Sequence, residues 1–532
     1  MKKTMKQHSF IAQLKSLAVV FGIILTFASC ANEDAAQNPT NPEDDNDKNL
    51  TTFVAGDETK TRTSMDYNSG NFYWEAGDYI YVKDDDGTWQ KSTNAPTSKV
   101  AAFKYMVPGK FTAHSSYKVY YLGKNSSGNQ VTISAAQSQT TPDNTEHFGT
   151  SGDYGSATAT KITGKQQFKF TLEHQPTYLI FQPYTSNTVL QNCYLTKIEV
   201  TSDNDIAETY TINTSTDNLD GSAGGKQIIL TMGGGFPLTN SSASRTTNGA
   251  YMIIKPGTHT LRVRYWVRDN VIGTEGTITK ILPSTTFVSN TYYDVTANLD
   301  VRDYGGDHYY MWDAQQQYWY GYEWTKHLPG NTGQPTLYGN SSSNYAQNNS
   351  DSRWYNESFP GGGISNPATH ASCKDLPNIN EMSWYCMYGD PRWDDDELWT
   401  AMGHLYKGGM WFKKKSVLQA ESHYDTEKGA DGSTDSRAVY KYYTNTNSSI
   451  ASGIPSAADA NKYFYLPALG YYDSGMLIGI GGGVGYYWSS SASPWYDYAA
   501  LYLNFTNSSV QVFGMYRYRG LRAQPFSDFG DN

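Results

Sequence analysis

Cysteine is scarce in this sequence, which excludes a scaffold held together by disulfides. The 532 residues contain four cysteines, and no two of them have the spacing of a metal site. Cys193 is expected to be a small buried hydrophobic residue. Cys373 and Cys386 could form a disulfide in an oxidising compartment, and Cys30 follows an apolar N-terminal segment.

Basic residues are outnumbered, which argues against a nucleic-acid partner. The chain has 41 lysines and arginines against 51 aspartates and glutamates, a formal net charge of −10. Its longest basic run is the KKK at 413–415. Because phosphate backbones are bound by clustered basic side chains, we expect no nucleic acid to bind.

Signatures of catalysis and of cofactor binding are also missing. The ten histidines are scattered and form no H-E-x-x-H. The serines at 489–491 lack the G-x-S-x-G of a nucleophile elbow. The glycine run at 479–485 has Val484 where a dinucleotide fingerprint needs glycine. We therefore expect neither an enzyme nor a bound cofactor.

Two acidic runs are candidates for calcium binding, although each has a structural explanation. Residues 84–86 read DDD before Gly87, as in a hairpin turn. Residues 394–397 read DDDE shortly after Pro391, which suits the first turn of a helix. We assign no metal ligand to either run.

Long hydrophobic runs are absent except near the N-terminus, between Leu17 and Ala28. That run has the length of a signal-peptide core and is too short to span a bilayer. The following FASC resembles a lipobox, which implies a lipoprotein signal peptide over residues 1–30 that ends at the lipidated Cys30. The next residues, ANED, resemble the surface-export signal of lipoproteins in Bacteroides-like bacteria. The alternative is an ordinary cleaved secretory signal.

Composition divides the rest of the chain into a tether, a β-rich region and an aromatic region. Residues 31–50 are polar and acidic and should form a disordered tether. Short β-type runs separated by turn signals fill 51–300, with no convincing helix. One of them alternates Leu195, Lys197 and Glu199 against Thr196, Ile198 and Val200. Residues 301–532 hold 10 of the 13 tryptophans and form a separate domain.

The aromatic region contains the two helices that the pattern predicts. Asn378 and Glu381 form a capping-box pair, and Ile379, Met382 and Cys386 should then face inward. A second helix is predicted between Pro391 and Gly408. In that segment Leu398, Ala401, Met402 and Leu405 form an apolar stripe.

The tyrosines and tryptophans of this region fit either of two roles. Exposed Tyr and Trp supply rigid area with a polar tip to surfaces that bind sugars or proteins. The same residues could instead fill the core of a loop-rich domain. For a ligand we favour Trp495, Tyr496 and Tyr498 in SPWYDYAA, together with the loop around Trp354.

A series of segments in residues 51–300 resembles the fimbrillin-like, or Mfa-like, family of type V pilins. These segments are TKTRTSMD with FYWEAGDYIYV, FTLEHQPTYLIFQ with LTKIEV, YMIIKPGTHTLRVRYWV, and ILPSTTFVSNTYYDVTANL. The resemblance implies two transthyretin-like β-sandwiches in series, which we place at residues 51–160 and 161–300.

The same resemblance implies a route of assembly. In that family a surface protease cuts the precursor after a basic residue, the first strand leaves, and another subunit adds a strand in its place. Here TTFVAG would be the strand that leaves. Arg62 is our first choice for the cut and Lys60 the second.

Residues 373–526 resemble the major paralogous, or FISUMP, family, whose fold is C-type-lectin-like. The matching segments are DLPNINEM, GGMWF, YFYLPALGYYDSG, YYWSSS, LYLNF and YRGLRAQPF. The resemblance implies that Trp488 is a core residue, that Ser489 and Ser490 satisfy backbone groups, and that Arg522 lies in the last strand. The calcium-dependent sugar triplets of animal lectins are absent, so residues 301–532 are expected to be a lectin-like head without a metal.

These observations lead to a mainly β, surface-exposed lipoprotein pilin, which we interpret as the tip adhesin of a type V pilus. Its expected partners are other pilin subunits, the outer membrane through lipid, and a glycan or protein ligand on a target surface. The alternative is a free-standing outer-membrane lipoprotein that binds a glycan or a protein outside any pilus.

Overall fold

The computed structural model describes residues 5–9, 49–56, 64–67, 71–213, 215–222, 224–270, 273–324, 335–336, 339–358, 363–446 and 450–531. Within these ranges the fold is mainly β, as the short alternating runs predict. The chain divides into two compact units. The first comprises Met1–Ser186, Tyr194–Tyr265 and Leu282–Leu299, and the second comprises Asn187–Cys193, Trp266–Ile281 and Asp300–Asn532. None of the helices in the described ranges is both long and apolar enough to cross a membrane.

Within the described ranges, twenty-two strands and two one-turn α-helices precede residue 299. The strands are β1 Met5–Ser9, β2 Leu50–Ala55, β3 Ser64–Asp66, β4 Asn71–Tyr73, β5 Tyr81–Lys83, β6 Trp89–Lys91, β7 Phe103–Pro108, β8 Ser116–Tyr121, β9 Gln130–Thr132, β10 Ala136–Gln139, β11 Gly155–Lys161, β12 Gln167–Phe170, β13 Glu173–His174, β14 Thr177–Tyr184, β15 Tyr194–Ser202, β16 Thr209–Ile212, β17 Leu219–Gly221, β18 Gln227–Pro237, β19 Ala250–Ile254, β20 Gly257–Arg268, β21 Glu275–Phe287 and β22 Thr291–Asn298. The helices are α1 Phe148–Ser151 and α2 Arg245–Asn248.

An eight-stranded sheet carries the N-terminal part of the first unit, in the order β6-β5-β8-β11-β12-β2-β7 with β13 added to β11. Strand β2 therefore lies inside the sheet, parallel to β12 and antiparallel to β7. Its Phe53 is fully buried, stacked on Phe168 at 5.1 Å and edge-on to Phe111 at 5.1 Å. Hence β2 supplies both backbone pairing and core side chains.

A second sheet explains why TYLIFQP reads as a continuous apolar run. Strand β14 lies between β22, to which it is parallel, and β19, to which it is antiparallel. Every residue of β14 except the last is buried. Strands covered on both faces lose the alternation of polar and apolar residues.

A register irregularity between β15 and β18 interrupts the alternation that the sequence predicts. Leu195 pairs with Phe236 and Lys197 pairs with Thr231, so the additional residues lie in β18. Leu195 is fully buried, as Ile198 and Val200 are, whereas Lys197 is only partly buried. The predicted grouping of Leu195 with Lys197 is therefore wrong.

The second unit contains twelve more strands and two α-helices between residues 309 and 522. These are β23 Tyr309–Tyr310, α3 Ile379–Tyr388, β24 Arg392–Ala401, β25 His404–Lys413, α4 Lys415–Ala420, β26 Tyr443–Thr446, β27 Ala451–Ser452, β28 Tyr463–Pro467, β29 Tyr471–Asp473, β30 Met476–Ile478, β31 Gly485–Ala492, β32 Ala499–Thr506, β33 Ser509–Tyr516 and β34 Leu521–Arg522. A six-stranded sheet runs β23-β34-β31-β32-β33-β26, and β25 joins β24 to β28. Short 3-10 turns cover Leu190–Asn192, Gly306–His308, Gly363–Ser365, Ala460–Lys462 and Phe526–Phe529.

Helix α3 forms where the capping box predicts it. The Asn378 side chain accepts from the Glu381 backbone N–H at 3.1 Å, and the Glu381 carboxylate accepts from the Asn378 N–H at 2.8 Å. Ile379, Met382 and Cys386 are fully buried. Both the start of the helix and its inward face are confirmed.

The helix predicted between Pro391 and Gly408 is wrong, because this segment forms the β24–β25 hairpin. Met402 and Gly403 have φ values of 52° and 84°, the positive pair that a two-residue hairpin turn requires. The acidic side chains of this segment do not lie in the first turn of a helix. Asp394 accepts from Trp411 Nε1 at 3.1 Å, and Glu397 accepts from the Thr279 N–H at 2.9 Å.

Candidate ligand-binding surface

The serine run after Trp488 occupies a bulge in the central strand pair of the second unit. Register between β31 and β32 shifts between Trp488 and Ala492, so that residues 489–491 lie opposite Leu501. The Ser489 hydroxyl donates to the Leu501 carbonyl at 2.7 Å and accepts from the Ser491 N–H at 3.1 Å. Ser489 therefore replaces the backbone donor that the bulge removes.

The neighbours of Ser489 complete this structural role. Trp488 is buried and donates through Nε1 to the Tyr310 carbonyl at 2.8 Å. Ser491 accepts from the N–H of Ile379, the first residue of α3, at 3.1 Å. The expectations that Trp488 is a core residue and that Ser489 satisfies backbone groups are confirmed, but the second hydroxyl that serves the backbone belongs to Ser491 rather than Ser490.

Two fully buried arginines donate to backbone carbonyls in the second unit, and the second of them, Arg517, supports the segment that carries exposed aromatics. Arg522 is in the last strand, β34, as expected, and donates to the Gly305 carbonyl at 2.7 Å. Arg517 donates through Nε to the Ala499 carbonyl at 2.9 Å, and its guanidinium lies 4.8 Å from the ring centre of Trp312. Burial lowers the pKa of Arg517 to about 10. Its backbone N–H also donates to the Tyr498 carbonyl at 2.9 Å, which joins β33 to the loop before β32.

Eight aromatic side chains at this edge form a continuous row, which we name the aromatic ridge. Seven of the eight are exposed, and Trp495 is the most exposed, at 62%. Tyr440 is partly buried beneath Trp495. The members are Tyr440, Tyr442, Trp495, Tyr496, Tyr498, Phe513, Tyr516 and Tyr518.

Ring contacts link the members of the ridge in two arms that meet at Tyr440. In the first arm Phe513 stacks on Tyr442 at 4.6 Å, and Tyr442 meets Tyr440 edge-on at 4.7 Å. Tyr440 also stacks on Trp495 at 5.0 Å. Pairs at these separations stabilise each other beyond the area they bury.

The second arm leaves Tyr440 through Tyr496, at 6.0 Å. From there the rings follow at 5.3 Å to Tyr498, 5.5 Å to Tyr516 and 5.3 Å to Tyr518, with planes 15° to 34° apart. Burial raises the pKa of Tyr440, with the neighbouring hydroxyl of Tyr442 acting in the same direction, so its phenol stays protonated.

The loop that precedes β32 presents the ring of Trp495 and the start of the second arm to solvent. The Ser493 hydroxyl accepts from the backbone N–H groups of Trp495 and Tyr496 at 3.3 and 3.2 Å. The Ala499 N–H donates to the Tyr496 carbonyl at 3.2 Å and closes the turn. Pro494 and a serine cap therefore fix the direction of these rings.

Sequence reasoning located three members of the ridge and missed five. Trp495, Tyr496 and Tyr498 are all exposed and lie together in the structure. Tyr440 and Tyr442 precede these residues by more than fifty positions, and Phe513, Tyr516 and Tyr518 follow them on the next strand and its end. A signal for most of them exists, because Tyr-x-Tyr occurs at 440–442, 496–498 and 516–518, each time around a charged residue.

Trp354, the fourth candidate, has a different environment. It is partly buried, its ring lies 4.9 Å from that of Tyr355, and its Nε1 donates to the Glu357 carboxylate at 2.7 Å. The structure thus gives Trp354 partners within its own loop. Its assignment as a ligand-binding residue stays a prediction.

The three described cysteines are separate buried thiols, and Cys373 and Cys386 form no disulfide in the structure. Cys373 accepts from the Asp313 N–H at 3.3 Å, whereas Cys386 donates to the Val510 carbonyl at 3.3 Å. Burial raises the pKa of each thiol to about 12, as it does for Cys193. All three behave as buried hydrophobic residues.

The acidic run at 84–86 forms a hairpin turn between β5 and β6. Gly87 has a φ of 81°, and Asp84 accepts from the Thr88 N–H at 2.8 Å. Asp85 accepts from Tyr117 Oη at 2.5 Å and from the Thr112 N–H at 2.8 Å. The turn interpretation is confirmed. Across the described ranges no group of three or more His, Cys, Asp or Glu side chains is arranged to hold a metal ion.

The proposed lipidation and processing residues lie outside the described residues. This applies to Cys30, Lys60 and Arg62. The strand expected to leave after processing corresponds to β2, which is among the described residues.

Comparisons with known proteins give weak structural similarities only. No family model and no curated protein matches the chain. Among solved structures, a putative cell adhesion protein of Bacteroides uniformis is 18% identical over 47% of this chain and 92% of its own, with a TM-score of 0.28.

Two further solved structures carry fimbrial names. The fimbrial anchor protein Mfa2 of Porphyromonas gingivalis is 13% identical over 44% of this chain and 82% of its own, with a TM-score of 0.23. A fimbrial protein of Bacteroides ovatus is 11% identical over 89% of this chain and 98% of its own, with a TM-score of 0.23. The case for a function therefore depends on the residues of this chain.

Proposed function

We propose that this protein is a surface-exposed, lipid-anchored pilin, the tip adhesin of a type V pilus, and that it binds its ligand through the aromatic ridge. The observation that carries the proposal is the ridge itself. Monomeric proteins seldom expose a contiguous apolar patch without using it. Rigid aromatic rings with polar tips are the side chains that binding surfaces favour.

The position of β2 supports assembly by strand addition. Cleavage after Arg62, or after Lys60, separates Leu50–Ala55 from the rest of the chain. Departure of β2 would leave β12 and β7 without their shared neighbour and would empty the place of Phe53 in the core. A strand from another subunit could restore both the backbone hydrogen bonds and the buried side chains.

Residues 526–531 are held within the second unit, so this particular segment is not an extended donor strand. Phe526–Phe529 forms a 3-10 turn, and both phenylalanines are buried. The Asp531 carboxylate accepts from Tyr385 Oη and from the Lys415 N–H. A segment held in this way is not available for donation to a neighbour.

The finer fold assignments belong to the same proposal. We place two transthyretin-like sandwiches at 51–160 and 161–300, and a C-type-lectin-like head at 301–532. The capped helix α3 and the buried Trp488 with its serine bulge support the second resemblance. Binding, rather than catalysis, is the proposed activity, at the outer face of the outer membrane.

Two measurements on surface material test the pilus. Immunogold labelling of sheared pili should place the protein at one end of each fibre, and label along the shaft would contradict a tip subunit. N-terminal sequencing of the mature protein should start directly after Arg62 or Lys60. A monomer that still begins at Cys30 would favour the alternative of a free-standing glycan-binding or protein-binding lipoprotein.

A matched pair of variants tests the ridge. Trp495→Ala should abolish attachment to the target surface and leave the circular dichroism spectrum and the unfolding midpoint unchanged. Trp324, which is 59% exposed and outside the ridge, supplies the control variant Trp324→Ala. Equal attachment by both variants would refute the ridge as the ligand-binding surface.

A further inference from the structure

The sheet that contains β14 has two edges, and the chain covers them in different ways. Its strand order is β1-β22-β14-β19. At the β19 edge, two side-chain amides of β10 replace a further strand. Gln139 accepts from the Tyr251 N–H at 2.8 Å. Gln137 accepts from the Ile253 N–H at 2.9 Å and donates to the Ile253 carbonyl at 2.7 Å. The β19 edge is therefore sealed by side chains of the first unit itself.

The β22 edge is covered by β1 instead. The two strands pair antiparallel, with Met5 opposite Val295 and Ser9 opposite Thr291. Strand β1 falls in residues 1–30, the predicted signal peptide, which export removes. Loss of β1 makes β22 the outermost of the described strands on this side of the sheet. Its backbone edge then becomes a place to which another strand can pair.

The sequence and the pairing of β22 suit it to accept a strand. Its eight residues, Thr291–Asn298, pair with β14 in an unbroken parallel register. Natural edge strands are commonly protected by proline, by lysine or by a bulge. The sequence TYYDVTAN contains neither proline nor lysine, and its register with β14 shows no bulge. Strand β22 thus lacks these means of preventing edge-to-edge pairing.

Both faces of β22 are covered by residues of the first unit. On one face the Tyr67 ring lies 5.2 Å from that of Tyr292, and its hydroxyl donates to the Asp294 carboxylate at 2.7 Å. Asp294 is the one charged residue of β22, and it is buried. On the other face the Tyr293 ring lies 5.0 Å from that of Phe287. A partner would therefore bind β22 along its backbone edge rather than on a face.

We propose that the edge of β22 is a second strand-acceptor site, in a different sheet from β2, and that it pairs with an extended strand of an adjacent pilin subunit. The direction of β1 indicates an antiparallel partner of at least the five residues that β1 spans. Main-chain hydrogen bonds supply the affinity, and β-branched or aromatic side chains opposite Tyr292 and Tyr293 add to it. This inference rests on the proposed function and adds a second point of contact between subunits.

Hydrogen–deuterium exchange tests the site, because it reports on backbone N–H groups directly. The processed protein is measured alone and in pili isolated with an antibody against this chain. In the protein alone, about half of the amides of a fragment spanning β22 should exchange quickly, since alternate residues point towards the β1 side. In the pili these amides should exchange more slowly by roughly tenfold or more. A fragment spanning β19 is the internal control, because Gln137 and Gln139 should keep its exchange slow in both samples.

Two results would overturn the proposal. Slow exchange of β22 in the protein alone would mean that another part of the same chain covers the edge. Fast exchange of β22 in the pili would mean that no subunit binds there. Strands β7 and β12, which flank the place of β2, separate this inference from the proposed function. If their amides become protected in the pili and those of β22 do not, strand addition at β2 stands and only the second site is refuted. If the antibody recovers no pili, the pilus assembly is refuted together with this site.

Discussion

Replacement of Ser489 by alanine should destabilise the second unit strongly, although the change removes a single oxygen. Ser489 is fully buried, and its hydroxyl makes two hydrogen bonds to backbone groups of the β31–β32 bulge. Without it, the Leu501 carbonyl and the Ser491 N–H lose their partner in a site that water does not reach. Each such orphaned group costs about 1–3 kcal/mol, so we expect about 2–6 kcal/mol for the pair.

Urea unfolding followed by tryptophan fluorescence measures this loss. Most of the tryptophans lie in the second unit, so the signal reports that unit. The matched control is Ser490→Ala, because Ser490 is partly exposed and should change the free energy of unfolding by less than about 0.5 kcal/mol. If the two variants unfold at the same urea concentration with the same slope, the hydroxyl of Ser489 does not support the bulge.

Two other predictions follow from the backbone and from a buried histidine. Gly403→Ala should destabilise the second unit by about 1–2 kcal/mol, because Gly403 has a φ of 84° in the hairpin turn. Thermal unfolding shows whether the midpoint falls or rises. We expect a fall, whereas the same change inside a helix would stabilise the protein by about 1 kcal/mol. In the first unit, burial lowers the pKa of His147 to about 4, and its Nε2 lies 3.0 Å from the Tyr251 carbonyl. In the unfolded chain His147 has its ordinary pKa of about 6.5, so as the pH falls it is protonated there before it is protonated in the folded protein. The free energy of unfolding should therefore decrease between about pH 6.5 and about pH 4. His147→Gln should flatten this part of the stability profile, and an unchanged profile would show that another group is responsible.

Sequence patterns predicted the local structure correctly where all the interacting residues lie in one short segment. The capping box needs only Asn378 and Glu381, and helix α3 begins there. The DDDG turn at 84–87 belongs to the same group. In each case hydrogen bonds or burial within a few residues decide the structure, so the sequence pattern is sufficient.

Predictions failed where pairing with a distant segment overrode a local pattern. The stripe from Leu398 to Leu405 fits a helix, but the segment pairs as a hairpin, and β25 is extended by β28. Asp394 and Glu397, which suited a helix start, are used by Trp411 and Thr279. The register irregularity between β15 and β18 likewise depends on both strands. Tertiary pairing outweighs propensities of this size.

By itself the sequence determined the mainly β class, the turn and cap positions, and three members of the exposed ridge. Only the tertiary structure brought Tyr440, Tyr442, Phe513, Tyr516 and Tyr518 to those three, because β32 pairs with the next strand, β33, and β33 pairs with β26, which lies more than fifty residues earlier in the chain. It also decided which charges are buried. Arg517 is fully buried and donates to a backbone carbonyl, whereas Lys441 and Asp497 are exposed. Exposure depends on what the folded chain places beside a residue, and no local pattern contains that information.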